Sequence, residues 1–152
     1  MLDHSSSSKL DKSLVCTLPS SSTATYCLTL TSDGDLWNGI GDMDIHVAVT
    51  PERILQCQKH IAEASLVVLD GNFSQETIDT VLQLCLQSNI PVFFEPTDPR
   101  KAIKALKSPF AKAITYTSPN IHELRFAIFL AKSHFKDVLY ISLLYFKIAL
   151  GL

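Results

Sequence analysis

Apolar and polar residues alternate along the first third of the chain, which is the pattern of half-buried β-strands. Residues 25–31 alternate with a period of two, and the Asp33-Gly34 pair that follows is typical of tight hairpin turns. We therefore predict a hairpin whose return strand covers residues 36–40. A further strand at residues 44–49 is expected to complete a small antiparallel sheet.

After residue 50 the pattern changes to continuous apolar runs that alternate with helical periodicity. The runs typical of buried strands are residues 66–70, 91–95 and 113–117. Helices are predicted after the capping signals Thr50-Pro51-Glu52, Ser74 and Asp98-Pro99, and over residues 120–132. The first of them is expected to continue through Ile61. Strands that alternate with helices over short connections predict an α/β fold with a parallel βαβα sheet and right-handed crossovers.

The two ends of the chain differ from its middle. Residues 1–23 are rich in serine and poor in large apolar groups, so a loose arm is predicted there. Residues 138–150 form an apolar run that is interrupted by Lys147 and is shorter than the roughly 20 residues of a membrane-spanning helix. A buried strand is therefore favoured over a tail anchor.

Length and charge restrict the class of function. A chain of 152 residues with 47% hydrophobic residues fits one globular domain. A net charge of -2 provides no basic surface, which argues against binding to nucleic acid or to a membrane and favours a small-molecule ligand. The four cysteines are widely spaced without a C-x-x-C pair, and no signal-peptide pattern is present, so we expect reduced thiols and a cytoplasmic location.

Polar side chains follow each of the three predicted parallel strands. They are Asp70 with Asn72, then Glu95, then Asn120 with Glu123. Because the carboxyl ends of parallel strands share one edge of the sheet, we expect these groups to lie along that edge, where ligands of open α/β sheets bind. An Asn and a Glu one helical turn apart could orient a hydrated cation on a phosphate. For Asn72 and Asn120 taken singly, simple helix capping remains an equal alternative.

Several segments taken together resemble the ribokinase-like (PfkB) carbohydrate and nucleoside kinases, and within that family the pseudouridine kinases. The matching segments are Thr23-Ala24-Thr25-Tyr26, Gly41-Asp42-Met43-Asp44-Ile45, Thr50-Pro51-Glu52, Leu69-Asp70-Gly71-Asn72, Glu95-Pro96-Thr97, and Thr117-Ser118-Pro119-Asn120 with Glu123-Leu124. The resemblance implies a partial ribokinase-like fold over residues 24–152, with helices on both faces of the sheet. Residues 24–49 would be a small lid sheet, and residues 50–152 would be a portion of the α/β core.

The resemblance also implies transfer of the ATP γ-phosphoryl group to a hydroxyl of a sugar or nucleoside, with pseudouridine as the favoured substrate. Asn120 and Glu123 would match the element that organises Mg²⁺ around the phosphates, and Asn72 and Glu95 would border the ATP site. On the substrate side, the lid would contribute Thr25, Asp42 and Asp44, and its sheet would mediate a homodimer. Beside the hairpin turn, Trp37 could stack on a base or pack under the lid, and packing is favoured.

The sequence departs from the family in two places. Nothing in it resembles the glycine-rich, asparagine-containing segment with which the family binds the sugar. The family's Gly-Ala-Gly-Asp element supplies the catalytic base and an anion hole, and no Gly-Ala-Gly occurs here. We therefore assign no catalytic residue and expect a truncated kinase with very little phosphotransfer activity. Two alternatives stay open. One is a non-catalytic module that pairs with a full-length kinase subunit, and the other is an unrelated doubly wound domain that holds a metal without ATP.

Overall fold

The computed structural model describes residues 11–134. The strands are β1 Thr25–Leu30, β2 Leu36–Asp42, β3 Val67–Asp70, β4 Val92–Glu95 and β5 Ile114–Thr117. The α-helices are α1 Pro51–Gln56, α2 Gln58–Ala62, α3 Gln75–Ser88, α4 Pro99–Lys107 and α5 Ile121–His134. Two short 3₁₀ helices cover Asp44–Ala48 and Ala111–Ala113. The strand predicted within residues 138–150 lies outside the described residues.

The second half of the described chain forms the predicted parallel sheet, with strand order β3-β4-β5. Both strand pairs are parallel, and α3 and α4 are the connections between them. Right-handed connections between strands that follow one another in chain order place both helices on the same face of the sheet. The α/β class, with a parallel sheet and a separate small antiparallel sheet, is confirmed.

The core lies between this sheet and α3. Phe94 and Val92 of β4 are buried against Ile78 and Leu82 of α3, and each of these side chains is at most 1% exposed. On the opposite face, Val68 is 70% exposed. Helices therefore cover one face of the sheet within residues 11–134, and the predicted helix layer on the other face stays a prediction.

Three helices begin at the predicted capping residues. The side chains of Thr50, Ser74 and Asp98 accept hydrogen bonds from the backbone N–H groups three residues later, at the starts of α1, α3 and α4. Each bond satisfies one of the N–H groups that a helix start leaves without an internal partner. The helix expected to continue through Ile61 is interrupted at Cys57, so the prediction of one continuous helix there is wrong.

The predicted hairpin is confirmed and extends two residues further than expected. β1 and β2 pair antiparallel, and Gly34 adopts a φ of +89° in the connecting turn, a conformation that glycine tolerates without steric cost. Every residue of the two strands is exposed except Gly39, which is half-buried. The hairpin therefore projects from the α/β core, and neither of its faces is covered by the described residues.

The third antiparallel strand predicted at residues 44–49 is wrong. Asp44–Ala48 is a 3₁₀ helix, in which His46 N donates to Met43 O at 3.1 Å and Val49 N donates to His46 O at 3.2 Å. Bonds between residues three apart use backbone groups that a strand would offer to a neighbour. Burial here follows the three-residue period of the 3₁₀ helix, since Asp44 and Val47 are exposed and the other residues of 44–49 are partly buried. A six-residue alternation in the sequence is too short to distinguish this period from that of a strand.

Candidate functional site

The polar residues at the ends of the parallel strands lie along one edge, as their spacing predicts. Asp70 and Glu95 are direct partners in the register of β3 and β4. From the loop after β5, the Ser118 hydroxyl donates a hydrogen bond to Glu95 Oε2, which links the second strand end to the third. The edge therefore carries a continuous row of carboxylate, amide and hydroxyl groups, while their role in binding stays a prediction.

At the β3 end of this row, Asp70 and Asn72 form a closed pair. The backbone N–H of Asn72 donates to Asp70 Oδ1 at 2.9 Å, and Asn72 Nδ2 donates to Asp70 Oδ2 at 2.8 Å. The Asn72 carbonyl oxygen accepts a third bond from Lys101 Nζ at 2.8 Å. Asn72 thus lies before α3 without capping it, since that role belongs to Ser74.

At the β5 end, Asn120 and Glu123 form a reciprocal cap at the start of α5. Asn120 Oδ1 accepts from the backbone N–H of Glu123 at 3.0 Å. In return, Glu123 Oε2 accepts from Asn120 N and Glu123 Oε1 accepts from Asn120 Nδ2, both at 2.9 Å. This is the geometry of a capping box. The capping alternative is therefore correct for Asn120, and a role in binding would come in addition to it.

The loop after β4 holds a strained residue and a close backbone approach. Thr97 has a φ of +70°, which is uncommon for a β-branched residue and costs on the order of 1–3 kcal/mol. Its hydroxyl accepts from Gly71 N at 3.3 Å, and its own N–H donates to Glu95 Oε1 at 3.3 Å. A Cβ on Gly71 would meet Pro96 O at 2.6 Å. The loops after β3 and β4 are thus locked together at the edge.

The predicted lid residues share one region at the base of the hairpin. Thr25 and Asp42 are register partners at the open end of the two strands, and Asp44 lies two residues after Asp42. Both aspartates line a cavity of about 330 Å³ together with Ser21 and Ser22. Ile45, Val47 and Ala48 complete the lining, so the cavity offers hydrogen-bonding groups together with apolar surface.

Two contacts place the segment after β2, at the base of the hairpin, beside the edge of the sheet. The Thr77 hydroxyl, in the first turn of α3, donates to Val49 O at 2.7 Å. The rings of His46 and Phe73 meet edge to face, with centroids 5.7 Å apart. Because Phe73 directly follows Asn72, the base of the hairpin adjoins the loop that carries one of the candidate binding residues.

The structure contradicts the favoured interpretation of Trp37. Its side chain is 77% exposed, so it does not pack under the lid within the described residues. The hairpin around it contains further exposed apolar side chains, namely Tyr26, Leu28, Leu30, Leu36 and Ile40. An indole in this position is available to contact a ligand or another chain.

Two lysines of α4 belong to the edge but were missed by the sequence reasoning. Lys101 contacts Asn72, and Lys104 Nζ donates to Gly71 O at 3.1 Å and to Phe73 O at 2.7 Å. Only their spacing of three residues, which puts both on one side of a helix, could have indicated them. Nothing local shows that this side meets a loop about 30 residues earlier in the chain.

The resemblance implies ATP and Mg²⁺, and Mg²⁺ binds oxygen ligands. Among residues 11–134 no group of three or more His, Cys, Asp or Glu side chains could hold a metal. Magnesium commonly binds through one or two carboxylates, phosphate and several waters, so Glu123 with Asn120 fits it. Each Glu123 oxygen accepts one bond from Asn120 and keeps a second lone pair. At the end of β5, Thr117 Oγ1 is buried without a partner in the described part, which a water or ligand atom would remedy.

No helix within residues 11–134 has the length and apolar character needed to cross a membrane.

Comparison with known proteins relates the chain to a group of kinases. No family model matches it. The chain is 31% identical over 104 residues to the pseudouridine kinase of Arabidopsis thaliana, a match that covers 68% of this chain and 27% of the plant protein. It is 33% identical over 95 residues to the pseudouridine kinase of Escherichia coli, covering 62% of this chain and 29% of the bacterial protein. The chain is therefore similar in sequence to proteins named pseudouridine kinase.

The chain spans less than a third of the length of either curated protein that it matches. A solved structure described as a carbohydrate kinase from Agrobacterium tumefaciens superimposes with a TM-score of 0.64 at 22% identity. That match covers 82% of this chain and 40% of the other. The structural match shows that the fold is that of part of a carbohydrate kinase.

Proposed function

We propose that the chain contributes the sheet edge and lid of an ATP-dependent kinase that phosphorylates a hydroxyl of a sugar or nucleoside, with pseudouridine as the substrate. The observation that carries the proposal is the similarity to two proteins named pseudouridine kinase. The polar edge supports it, because phosphoryl transfer depends mainly on positioning and on charge neutralisation rather than on covalent chemistry by the protein.

In this proposal Glu123 holds the waters of a Mg²⁺ ion. The capping box fixes both carboxylate oxygens through Asn120, so the side chain is already ordered before a ligand binds. Glu123 is 4% exposed, and a carboxylate held this way acts through its remaining lone pairs on water bound to the ion. ATP, when bound, supplies the phosphoryl group that is transferred. Asn72 and Glu95 provide further polar groups along the same edge.

The lid residues are assigned to the substrate. Thr25, Asp42 and Asp44 are exposed, and the carboxylates line the cavity at the base of the hairpin. Carboxylate oxygens accept hydrogen bonds from ribose hydroxyls, and a lid that covers the sugar excludes water from the phosphoryl group. The absence of Gly-Ala-Gly-Asp from the sequence leads us to expect binding but very little phosphotransfer from these 152 residues. A cytoplasmic location is part of the same proposal.

Thermal unfolding of the purified chain with and without Mg²⁺-ATP tests this assignment. A ligand that binds only the folded state raises the melting temperature. We expect such an increase for the wild type and its loss in Glu123→Gln. Glutamine can accept only one of the two bonds that Asn120 donates to Glu123, because its amide nitrogen cannot accept, so the melting temperature without ligand should fall. The increase caused by the ligand is therefore measured against each variant's own ligand-free melting temperature. Glu76→Gln removes the same charge from the first turn of α3 and serves as the matched control.

Two results would contradict the proposal. The first is a wild-type melting temperature that Mg²⁺-ATP does not change, and the second is an equal response in Glu123→Gln and Glu76→Gln. Omitting Mg²⁺ while ATP is kept should abolish the increase. An increase that persists without Mg²⁺ would place the nucleotide elsewhere.

A second candidate function is association through the hairpin, with a second copy of this chain or with a full-length kinase subunit. The observation in its favour is the row of exposed apolar side chains on β1, namely Tyr26, Leu28 and Leu30. Contiguous exposed apolar surface is typical of interaction sites. Sedimentation velocity should show a dimer that Leu28→Lys converts to a monomer, whereas a wild-type monomer at all concentrations tested would exclude the homodimer.

A further inference from the structure

Helix α4 holds the loop after β3 through two lysines that act on different parts of it. Lys104 Nζ donates to the backbone oxygens of Gly71 and Phe73, at 3.1 and 2.7 Å. Lys101 Nζ instead donates to the side-chain oxygen of Asn72 at 2.8 Å. One lysine therefore fixes the course of the loop backbone, and the other fixes a side chain that belongs to the candidate site.

The Asn72 carboxamide is held at both ends. Its oxygen accepts from Lys101, and its nitrogen donates to Asp70 Oδ2 at 2.8 Å. The torsion that ends an Asn side chain is broad and roughly two-fold, so local geometry alone does not choose between an amide and its flipped form. A cation on one side and a carboxylate on the other allow one orientation only, since an ammonium group cannot accept and a carboxylate cannot donate.

The position of Lys101 is itself maintained by Asp98. Lys101 Nζ lies 3.5 Å from Asp98 Oδ2, while Asp98 Oδ1 accepts from the backbone N–H of Lys101 at the start of α4. Lys101 and Asp98 are each about one-third exposed. A chain of polar contacts thus runs from the cap of α4 through Lys101 and Asn72 to Asp70 at the end of β3.

We propose that Lys101 is a positioning residue that orients Asn72 for ligand binding. With its carboxamide held in one orientation, Asn72 keeps one N–H and one carbonyl lone pair for a ligand hydroxyl or phosphate oxygen. This inference rests on the proposed function, because it takes the strand edge to be the ligand site. Lys104 supports the same loop without setting the amide, so the two lysines differ in what they contribute.

A double-mutant cycle on ligand affinity tests the inference. The probes are pseudouridine and a non-hydrolysable ATP analogue with Mg²⁺, titrated calorimetrically into the wild type, Lys101→Met, Asn72→Ala and the double variant. We expect Lys101→Met to weaken the affinity for one probe by about tenfold, the size of one lost charge-assisted hydrogen bond. The double variant should bind no more weakly than Asn72→Ala alone, because residues that act as a unit are not additive.

Two further variants separate orientation from stability. Lys101→Arg keeps a cation that can donate to Asn72 and should bind almost as the wild type does. Lys107→Met changes an exposed lysine in the last turn of α4 and should leave affinity unchanged. Additive losses in the cycle, or equal affinities for Lys101→Met and Lys107→Met, would overturn the inference and leave the proposed function intact.

A wild type that binds neither probe would instead contradict the proposed function. In that case, the hydrogen-exchange rate of the Asn72 side-chain amide, measured by NMR, tests whether Lys101 holds this amide in place. We expect slow exchange in the wild type and in Lys107→Met, and faster exchange in Lys101→Met. Equal exchange rates in all three would show that Lys101 does not hold the amide.

Discussion

The parallel sheet and the hairpin contain similar side chains in opposite environments. Phe94 in β4 is 1% exposed, because α3 covers the face of the sheet on which it lies. Trp37 in β2 is 77% exposed, although it also follows an apolar residue in a strand. A sequence that forms a strand therefore does not by itself bury its side chains, because burial requires a second layer of structure packed against the strand.

The two regions also differ in what they contribute to stability and to function. An isolated two-stranded hairpin is at best marginally stable in water, whereas a sheet packed against a helix has a core of its own. The α/β part therefore stabilises the chain, and the hairpin depends on it while presenting surface to other molecules. Paired substitutions, one in each region, test whether the two regions differ in this way.

The largest difference is expected between Phe94→Ala and Trp37→Ala. Removing a buried phenylalanine costs about 3–5 kcal/mol of unfolding free energy, whereas an exposed side chain away from special features contributes within about 0.5 kcal/mol. Urea unfolding of the purified chain measures both. If Phe94→Ala does not fold, Ile78→Val should still lose about 0.5–1.5 kcal/mol at another fully buried position. Comparable losses for Trp37→Ala would show that the hairpin is packed in solution.

A smaller difference is expected between Gly71→Ala and Gly39→Ala. An added Cβ at Gly71 would lie 2.6 Å from Pro96 O and 2.8 Å from Lys101 Cβ, and backbone cannot move aside easily. Overpacking of this kind costs about 1–3 kcal/mol. At Gly39 the obstacle is the exposed ring of Tyr26, which can rotate away, so a change within about 0.5 kcal/mol is expected.

Urea unfolding of the two glycine variants gives these values directly. A result in which Gly39→Ala is the more damaging would contradict the division. It would indicate that Tyr26 is held over the strand rather than free to move.

The smallest change to the molecule is chemical labelling of Cys85 and Cys27 with a thiol reagent. Cys85 of α3 is buried, and burial raises the pKa of its thiol to about 11, whereas Cys27 of β1 is exposed. At pH 8 we expect rapid labelling of Cys27, and labelling of Cys85 only when urea unfolds the chain. Rapid labelling of both in the folded chain would show that the core opens freely.

The raised pKa of Cys85 also makes the free energy of unfolding depend on pH. The pKa of the Cys85 thiol is higher in the folded chain than the unfolded value of 9.0. Its full contribution to the free energy of unfolding is therefore present below pH 9. This stability is lost as the pH rises from about 9 through about 11, because the unfolded thiol releases its proton first. The Cys85→Ala variant should lack this loss, and an identical pH profile for wild type and variant would contradict the assignment.

Much of the local structure followed from short sequence signals. Thr50, Ser74 and Asp98 cap the helices that their side chains predicted, because a cap needs only a donor three residues away. Asp33-Gly34 marked the hairpin turn because glycine tolerates the positive φ that such a turn requires. The strand predicted at residues 44–49 was wrong, because six alternating residues do not show whether a neighbouring strand or a local 3₁₀ turn takes the backbone bonds.

The sequence predicted which residues of the candidate site share one edge of the sheet, but not the hydrogen bonds between them. The rule that parallel strands end together was enough to bring Asp70, Glu95 and Asn120 to one side of the sheet. It could not show that Ser118 binds Glu95, or that the Asn120 and Glu123 side chains satisfy each other. Lys101 was missed entirely, since its partner Asn72 lies 29 residues away and on another element.

Local sequence signals predicted most of the strands and helices, where most of them begin, and which polar residues end the parallel strands. These properties depend on interactions within a few residues, which composition and spacing record. Contacts between distant parts of the folded chain set which apolar strands are buried, which side chain Lys101 contacts, and where the base of the hairpin lies. Those outcomes depend on contacts between distant parts of the chain, such as the bond from Thr77 to Val49, and no local pattern contains them.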